Sequence, residues 1–287
     1  IFLAALSKGY VTLKGALFSR DTRIMCAALK TLGFTVEPDE AAKSIRIEGR
    51  GGEIPVAEAD IHVGNAGTAA RFLTAMLALK KGGHYRLDGD AAMRDRPMQG
   101  LTDALAAQGA KFTFHDKPGH FPFTMQTHGL RGGALEVDAS ASSQILSALM
   151  MAAPFADSPL TLKLKGETVS QPFVEMTLNM MYTFGQPKAS LVQHQLGLNN
   201  LAYTLGGLDG VMVEGDATAA SYYAILPMIV EGFISSETFS IGGQSLPTGY
   251  LQGDREFLNL IVNADWVLFQ QRSVGDRKST RLNSSHT

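Results

Sequence analysis

The amino-acid sequence predicts a mixed α/β (α+β) fold built from repeated units, and three observations lead there. One motif is written three times: Val63-Gly64-Asn65-Ala66-Gly67-Thr68-Ala69-Ala70-Arg71, Val137-Asp138-Ala139-Ser140-Ala141-Ser142-Ser143-Gln144 and Val213-Glu214-Gly215-Asp216-Ala217-Thr218-Ala219-Ala220-Ser221, at offsets of 74 and 76 residues. Each copy reads as a strand end, a turn of small polar residues and the start of an apolar helix. A second register lies between the copies. Leu13-Lys14-Gly15, Leu87-Asp88-Gly89, Leu164-Lys165-Gly166 and Ile241-Gly242 each close a short alternating strand that leads into a loop and an amphipathic helix. Those helices end at Gly33, Gly109 and Gly185, spaced by 76 and 76 residues, where glycine supplies the left-handed cap. Strands resume after the caps at Phe34-Thr35-Val36 and Lys111-Phe112-Thr113-Phe114. The unit is therefore expected to run roughly βαββαβ, in one domain of about three units.

Along the chain, Ile1-Phe2-Leu3-Ala4-Ala5-Leu6 is an apolar helical segment with neither a cap nor a signal-peptide charge pattern, as though the chain started inside a helix. Tyr10-Val11-Thr12-Leu13 alternates as a strand. Cys26, the only cysteine, sits in the apolar run Ile24 to Leu29 and reads as a buried structural thiol, so no disulfide framework is possible. Pro97 suits the first turn of a helix from Met98 to Gln108. The apolar stretches Phe72 to Leu79, Ile145 to Phe155 and Tyr222 to Val230 are too short to span a bilayer and read as core helices.

With 287 residues and 45% hydrophobic content the chain buries a sizeable core. Residues 1–213 are expected to form one near-complete domain of three units, and 214–275 part of a second. Residues 276–287 read as a translated sequencing adapter and are set aside. A net charge of −2 gives no bulk case for nucleic acid or an acidic membrane, so any anion affinity must be local. The seven histidines show no paired metal-ligand spacing, and no Walker, Rossmann or Ser-His-Asp pattern is present. Neither a metal nor a cofactor is expected.

What the motifs do offer is anion positioning. In Gly64 to Thr68, Gly67 allows close approach to backbone, Asn65 and Thr68 bring polar side chains, and the helix start adds partial positive charge; a plain turn capping a core helix is the alternative. Arg71, one helical turn on, is either an anion clamp or a solvent-facing residue. Arg96 opposes the dipole of the helix after Pro97 unless an anion joins them, although a carboxylate such as Asp95 is an equally simple partner. Ser142, Ser143 and Gln144 suit a phosphate and a neighbouring hydroxyl, or an ordinary N-cap. Ser170-Gln171-Pro172 and Ser19-Arg20-Asp21 occupy the place of Arg96 in the other units.

These segments resemble the 5-enolpyruvylshikimate-3-phosphate synthases. The resemblance rests on Gly64 to Arg71, Arg94-Asp95-Arg96-Pro97, Ser142-Ser143-Gln144 with Leu146 to Pro154, Ser170-Gln171-Pro172-Phe173 and Val213-Glu214-Gly215-Asp216, in family order. It implies the enolpyruvyl transferase fold, two domains in the parent protein, each of three βαββαβ-like units with pseudo-threefold symmetry, and substrates bound between the domains. The expected activity is transfer of the enolpyruvyl group of phosphoenolpyruvate to the 5-hydroxyl of shikimate 3-phosphate by a cytoplasmic, monomeric protein. Gly67 and Arg96 correspond to phosphoenolpyruvate contacts with Asn65 beside them. Gln144 corresponds to a contact with both substrates, and Ser142, Ser143 and Ser170 to the shikimate 3-phosphate site. Phe173 stands where a tyrosine is common, and Phe72 where a proline is frequent. The family's acid/base residues have no matching positions here, so this piece is expected to be inactive by itself. Two other readings are a UDP-N-acetylglucosamine enolpyruvyl transferase, for which Cys26 does not resemble a catalytic loop thiol, and a non-catalytic repeat scaffold.

Overall fold

Three helices end in the same way at the same interval, and they set the frame of the fold. In the computed structural model, which describes residues 1–138, 140, 142–165, 171–205 and 210–215, Gly33, Gly109 and Gly185 all have positive φ, at 85°, 113° and 87°. In each case the glycine N–H donates three residues back and the next N–H reaches five back: Phe34 to Leu29, Ala110 to Leu105 and Gln186 to Met181, all at 3.0 Å. This double bond pattern satisfies the carbonyls that a helix end leaves free. Gly109→Ala should cost about 1–2 kcal/mol in urea unfolding, because an L side chain resists positive φ while only the flexible Arg131 side chain, at 3.3 Å, stands near the added methyl.

The chain divides into two compact units, Ile1–Val213 and Glu214–Thr287. The expectations for Ser170, for Tyr222 to Val230, for the rest of residues 216–275 and for 276–287 lie outside the described residues. The first unit begins with α1 (Phe2–Leu6), β1 (Lys8–Lys14), α2 (Arg20–Thr31), β2 (Val36–Asp39) and β3 (Ser44–Arg50). Next come β4 (Glu58–His62), α3 (Gly67–Leu77), β5 (Lys81–Asp88), the short α4 (Ala91–Arg94), α5 (Gln99–Ala107), β6 (Lys111–Phe114) and β7 (Phe123–His128). A third set follows: β8 (Gly133–Asp138), α6 (Ser143–Ala152) running into a 3-10 turn at Ala153–Phe155, β9 (Leu160–Lys165), α7 (Gln171–Thr183) and β10 (Gln195–Leu198). The last described strand is β11 (Gly210–Met212).

The strands form three sheets, ordered β4-β5-β7-β6, β10-β9-β8 and β11-β1-β3-β2. Each holds one parallel pair, respectively β4 with β5, β8 with β9 and β1 with β11, while the remaining pairs are antiparallel. The mixed α/β class and the repeat hold, but the order within the complete middle unit is βαβαββ and not βαββαβ. Strand geometry requires this: parallel neighbours need a crossover helix between them, as α3 joins β4 to β5, whereas the antiparallel β6 and β7 connect directly. In the sheet β11-β1-β3-β2 the parallel partner of β1 arrives almost 200 residues later, with Thr12 opposite Gly210.

Burial separates the helices into two kinds. Every residue of α1 is buried, as are all of Ile145 to Ala152 in α6 and most of α3, whereas α2 buries only Met25, Cys26, Ala28 and Leu29. A helix apolar on all sides belongs inside, and one with a single apolar stripe lies outside. Phe2 meets Phe72 edge-to-face at 5.5 Å between centroids, and α3 packs on α6, so these helices form the centre of the three sheets. The helix α3 runs through Phe72 without interruption. Cys26 is buried, and burial pushes its thiol up.

Candidate functional site

The turn between β4 and α3 is strapped to the end of β5. Val63 N–H donates to Asp88 O at 2.9 Å and Asp90 N–H to Gly64 O at 2.9 Å, while Gly64 takes φ +54°. The chain then enters α3 with Ala66 as N-cap, a residue without a side-chain acceptor, so among the described residues no side chain caps the first N–H groups of the helix. Asn65, in the turn, buries an Oδ1 that has no hydrogen-bond partner among the described residues.

Gly67 opens the helix at a point where three side chains converge. A methyl group at this position would lie 2.7 Å from Arg96 Nη1, 3.0 Å from Arg71 Nη1 and 3.5 Å from Gln144 Oε1. Gln144 comes from the N-terminus of α6, 76 residues from Thr68, and its Nε2 donates to Thr68 Oγ1 at 3.0 Å. Corresponding segments of two repeats therefore touch, as the pseudo-symmetry predicts.

Arg96 stands on the connection between α4 and α5. Its N–H donates to Met93 O at 3.1 Å, and α5 starts at Gln99 and not at Met98, because Met98 N–H donates to Gly119 O at 2.7 Å. Pro97 thus precedes the helix and does not enter its first turn. The neighbouring Arg94 is committed to Asp88, with contacts of 2.9 and 2.6 Å. Burial alone would raise the Asp88 carboxyl, yet Arg94 and the Gly89 N–H hold it below the usual carboxylate range. Among the described residues Arg96 makes no ion pair, with Asp95 or any other carboxylate.

Arg71 is not the solvent-facing residue that its sequence position allowed. It is 4% exposed, and it donates from Nη1 to Gly67 O and from Nη2 to Pro97 O, both at 3.1 Å. Burial, and then the charge of Arg96, push its guanidinium down. The i, i+4 spacing from Gly67 was the available signal, since it lays the side chain back over the helix start.

Ser142 accepts from the Gln144 N–H at 3.2 Å and so caps α6, while Ser143 is the first, half-buried residue of that helix. The capping reading of Ser142 is thus realised, although its hydroxyl hydrogen remains available to a ligand. Phe173 lies exposed in the first turn of α7.

A neighbouring open cleft of about 510 Å³ is lined by Arg20, Arg23, Ile24, His62, Gly64 and Asp90. Its charges are already matched: Arg20 reaches Asp90 at 2.5 Å and Arg23 pairs with Glu40. Arg71 and Arg96, by contrast, stand beside a helix start with no carboxylate paired to either among the described residues. Among the described residues no group of His, Cys, Asp or Glu is arranged to hold a metal ion.

The architecture is that of a mixed α/β protein built from repeated units, with two arginine side chains beside the N-terminus of α3. The EPSP synthase of Acinetobacter baumannii superposes with a TM-score of 0.63 over 77% of this chain and 48% of that one, at 23% identity, which establishes the fold. The family model for EPSP synthase (3-phosphoshikimate 1-carboxyvinyltransferase) matches residues 1–263. A 3-phosphoshikimate 1-carboxyvinyltransferase of Opitutus terrae is 42% identical over 266 residues, covering 91% of this chain and 59% of the relative. One of Ralstonia nicotianae is 34% identical over 301 residues, covering 100% and 67%. The chain belongs to the EPSP synthase family. It spans about three fifths of the length of the first of these curated relatives.

Proposed function

We propose that this chain binds phosphoenolpyruvate and shikimate 3-phosphate as the substrate-binding part of a 3-phosphoshikimate 1-carboxyvinyltransferase, with residues 1–213 as its first domain. The observation that carries the reading is the meeting of Gly67, Arg96 and Gln144 around one point beside an uncapped helix start, with two guanidinium groups lacking carboxylates among the described residues. Phosphoenolpyruvate carries a phosphate and a carboxylate, and both suit such a place.

In the reaction, the 5-hydroxyl oxygen of shikimate 3-phosphate gives up its proton and adds to C2 of phosphoenolpyruvate while C3 takes up a proton; the C2–O bond to phosphate then breaks as C3 loses a proton, and the double bond re-forms. Arg96 and the α3 N-terminus neutralise the anionic groups of phosphoenolpyruvate, and Asn65 borders them. Gln144, already bridged to Thr68, orients the two substrates against each other. Ser142, Ser143 and Ser170 hold the phosphate and ring of shikimate 3-phosphate. These residues bind and orient, and no proton transfer is assigned to them. A cytoplasmic, monomeric setting belongs to the same reading.

Calorimetric titration of the full chain tests it. Saturable binding of shikimate 3-phosphate and phosphoenolpyruvate, weakened by Ser142→Ala for the former, is the expected result, with UDP-N-acetylglucosamine giving no heat. A folded chain that binds the nucleotide sugar alone belongs to the sister activity, and one that binds none of the three does not use this end for substrates.

A further inference from the structure

We infer that Arg71 is a positioning residue, a brace that fixes Arg96 and the N-terminus of α3 at one separation so that both meet the same anion. The inference deepens the phosphoenolpyruvate reading and rests on it for the identity of the ligand. The two carbonyls that Arg71 holds belong to Gly67, the first residue of α3, and to Pro97, the residue directly after Arg96. One planar group therefore ties together the two pieces of chain that carry the anion donors, and its rigid fork sets both distance and angle.

For stability alone this is a poor use of a core position. The side chain is 4% exposed, its Nε is buried without a partner, and no carboxylate pairs with it among the described residues. Arg96 adds a second positive charge nearby. Desolvating a cation against two carbonyls and another cation gains less than packing an apolar chain of the same volume. The geometry that the guanidinium enforces is what offsets this cost. Lysine keeps the charge but reaches one carbonyl at a time on a flexible stem, so Arg71→Lys removes the brace and little else.

The test is a double-mutant cycle on the full chain, titrated with phosphoenolpyruvate: unmutated, Arg71→Lys, Arg96→Ala and both together. Arg71→Lys should weaken binding about tenfold, and the double variant should bind within about threefold of Arg96→Ala alone, because the brace acts through Arg96. Losses that multiply would make Arg71 a direct ligand contact, and unchanged affinity would make it structural only; either overturns the inference. A ligand-free readout keeps the brace testable if the functional reading fails. Amide exchange at Ala70, Arg96 and Met98, whose N–H groups are all hydrogen-bonded, should quicken about tenfold in Arg71→Lys while Met25 in α2 keeps its rate. Unchanged exchange at the three sites overturns the brace, whereas faster exchange in a chain that binds no phosphoenolpyruvate supports the brace and rejects the ligand.

Discussion

Arg96→Ala is expected to weaken phosphoenolpyruvate binding by about 30-fold, close to 2 kcal/mol, with little change in stability. The affinity loss follows from position: Arg96 Nη1 lies 2.7 Å from the point above Gly67, where α3 exposes uncapped N–H groups. The figure sits at the low end for a charge pair because the side chain is exposed in the free chain. Stability should hold because Arg96 makes no ion pair among the described residues. Titration and thermal unfolding on the same samples separate the two effects, and a lowered melting temperature with unaltered affinity would turn Arg96 into a structural residue. Gly67→Ala offers an independent route to the same end. Its methyl meets first the exposed Arg96 side chain, which can move aside, and no backbone, so the chain should still fold and lose affinity in the same direction.

Gly49→Ala carries the largest expected effect on stability. Gly49 lies in β3, where α1 passes over the sheet so closely that a methyl would stand 2.3 Å from Ser7 O and 2.4 Å from Ala4 O. Both obstacles are backbone. Ser7 O is also occupied, accepting from Gly51 N–H at 2.7 Å, and Ser7 Oγ ties back to Ala4 O at 2.8 Å, so neither atom yields without breaking a buried bond. Relief requires lifting α1, whose residues are all buried. A loss of about 3 kcal/mol in urea unfolding is expected, the upper part of the range for overpacking a core. Gly197→Ala in β10 is the control, since nothing lies within 4 Å of its added methyl, and it should stay within about 0.5 kcal/mol. Equal stability of the two variants would mean that α1 does not seat on β3 this tightly.

Much of the fold was legible because it rests on local rules. Gly33, Gly109 and Gly185 announced three helix ends through a backbone requirement that no distant residue alters, and all three have positive φ. The contrast between the largely apolar α3 and α6 and striped α2 likewise follows from composition, and burial obeys it. The order within the repeat was less legible, because counting strands does not say which are parallel. The partner of β1 was not legible either, since no local signal joins Thr12 to Gly210.

At the candidate site the sequence determined the residue types and their recurrence. The turn before α3, the pair beside Pro97 and the cap of α6 recur with the repeat, and that recurrence is enough to bring Gly67, Arg96 and Gln144 to one end of the unit. Tertiary structure decided which charge is spent and which is left. Arg94 and Arg96 are two residues apart and chemically identical, yet Arg94 is held by Asp88 while Arg96 faces Gly67. Arg71 reads as a clamp or a surface residue until the carbonyls of Gly67 and Pro97 close around it. The physical reason is range: capping and periodicity act within a turn or two of chain, while charge compensation depends on whatever else folding brings within a few ångströms.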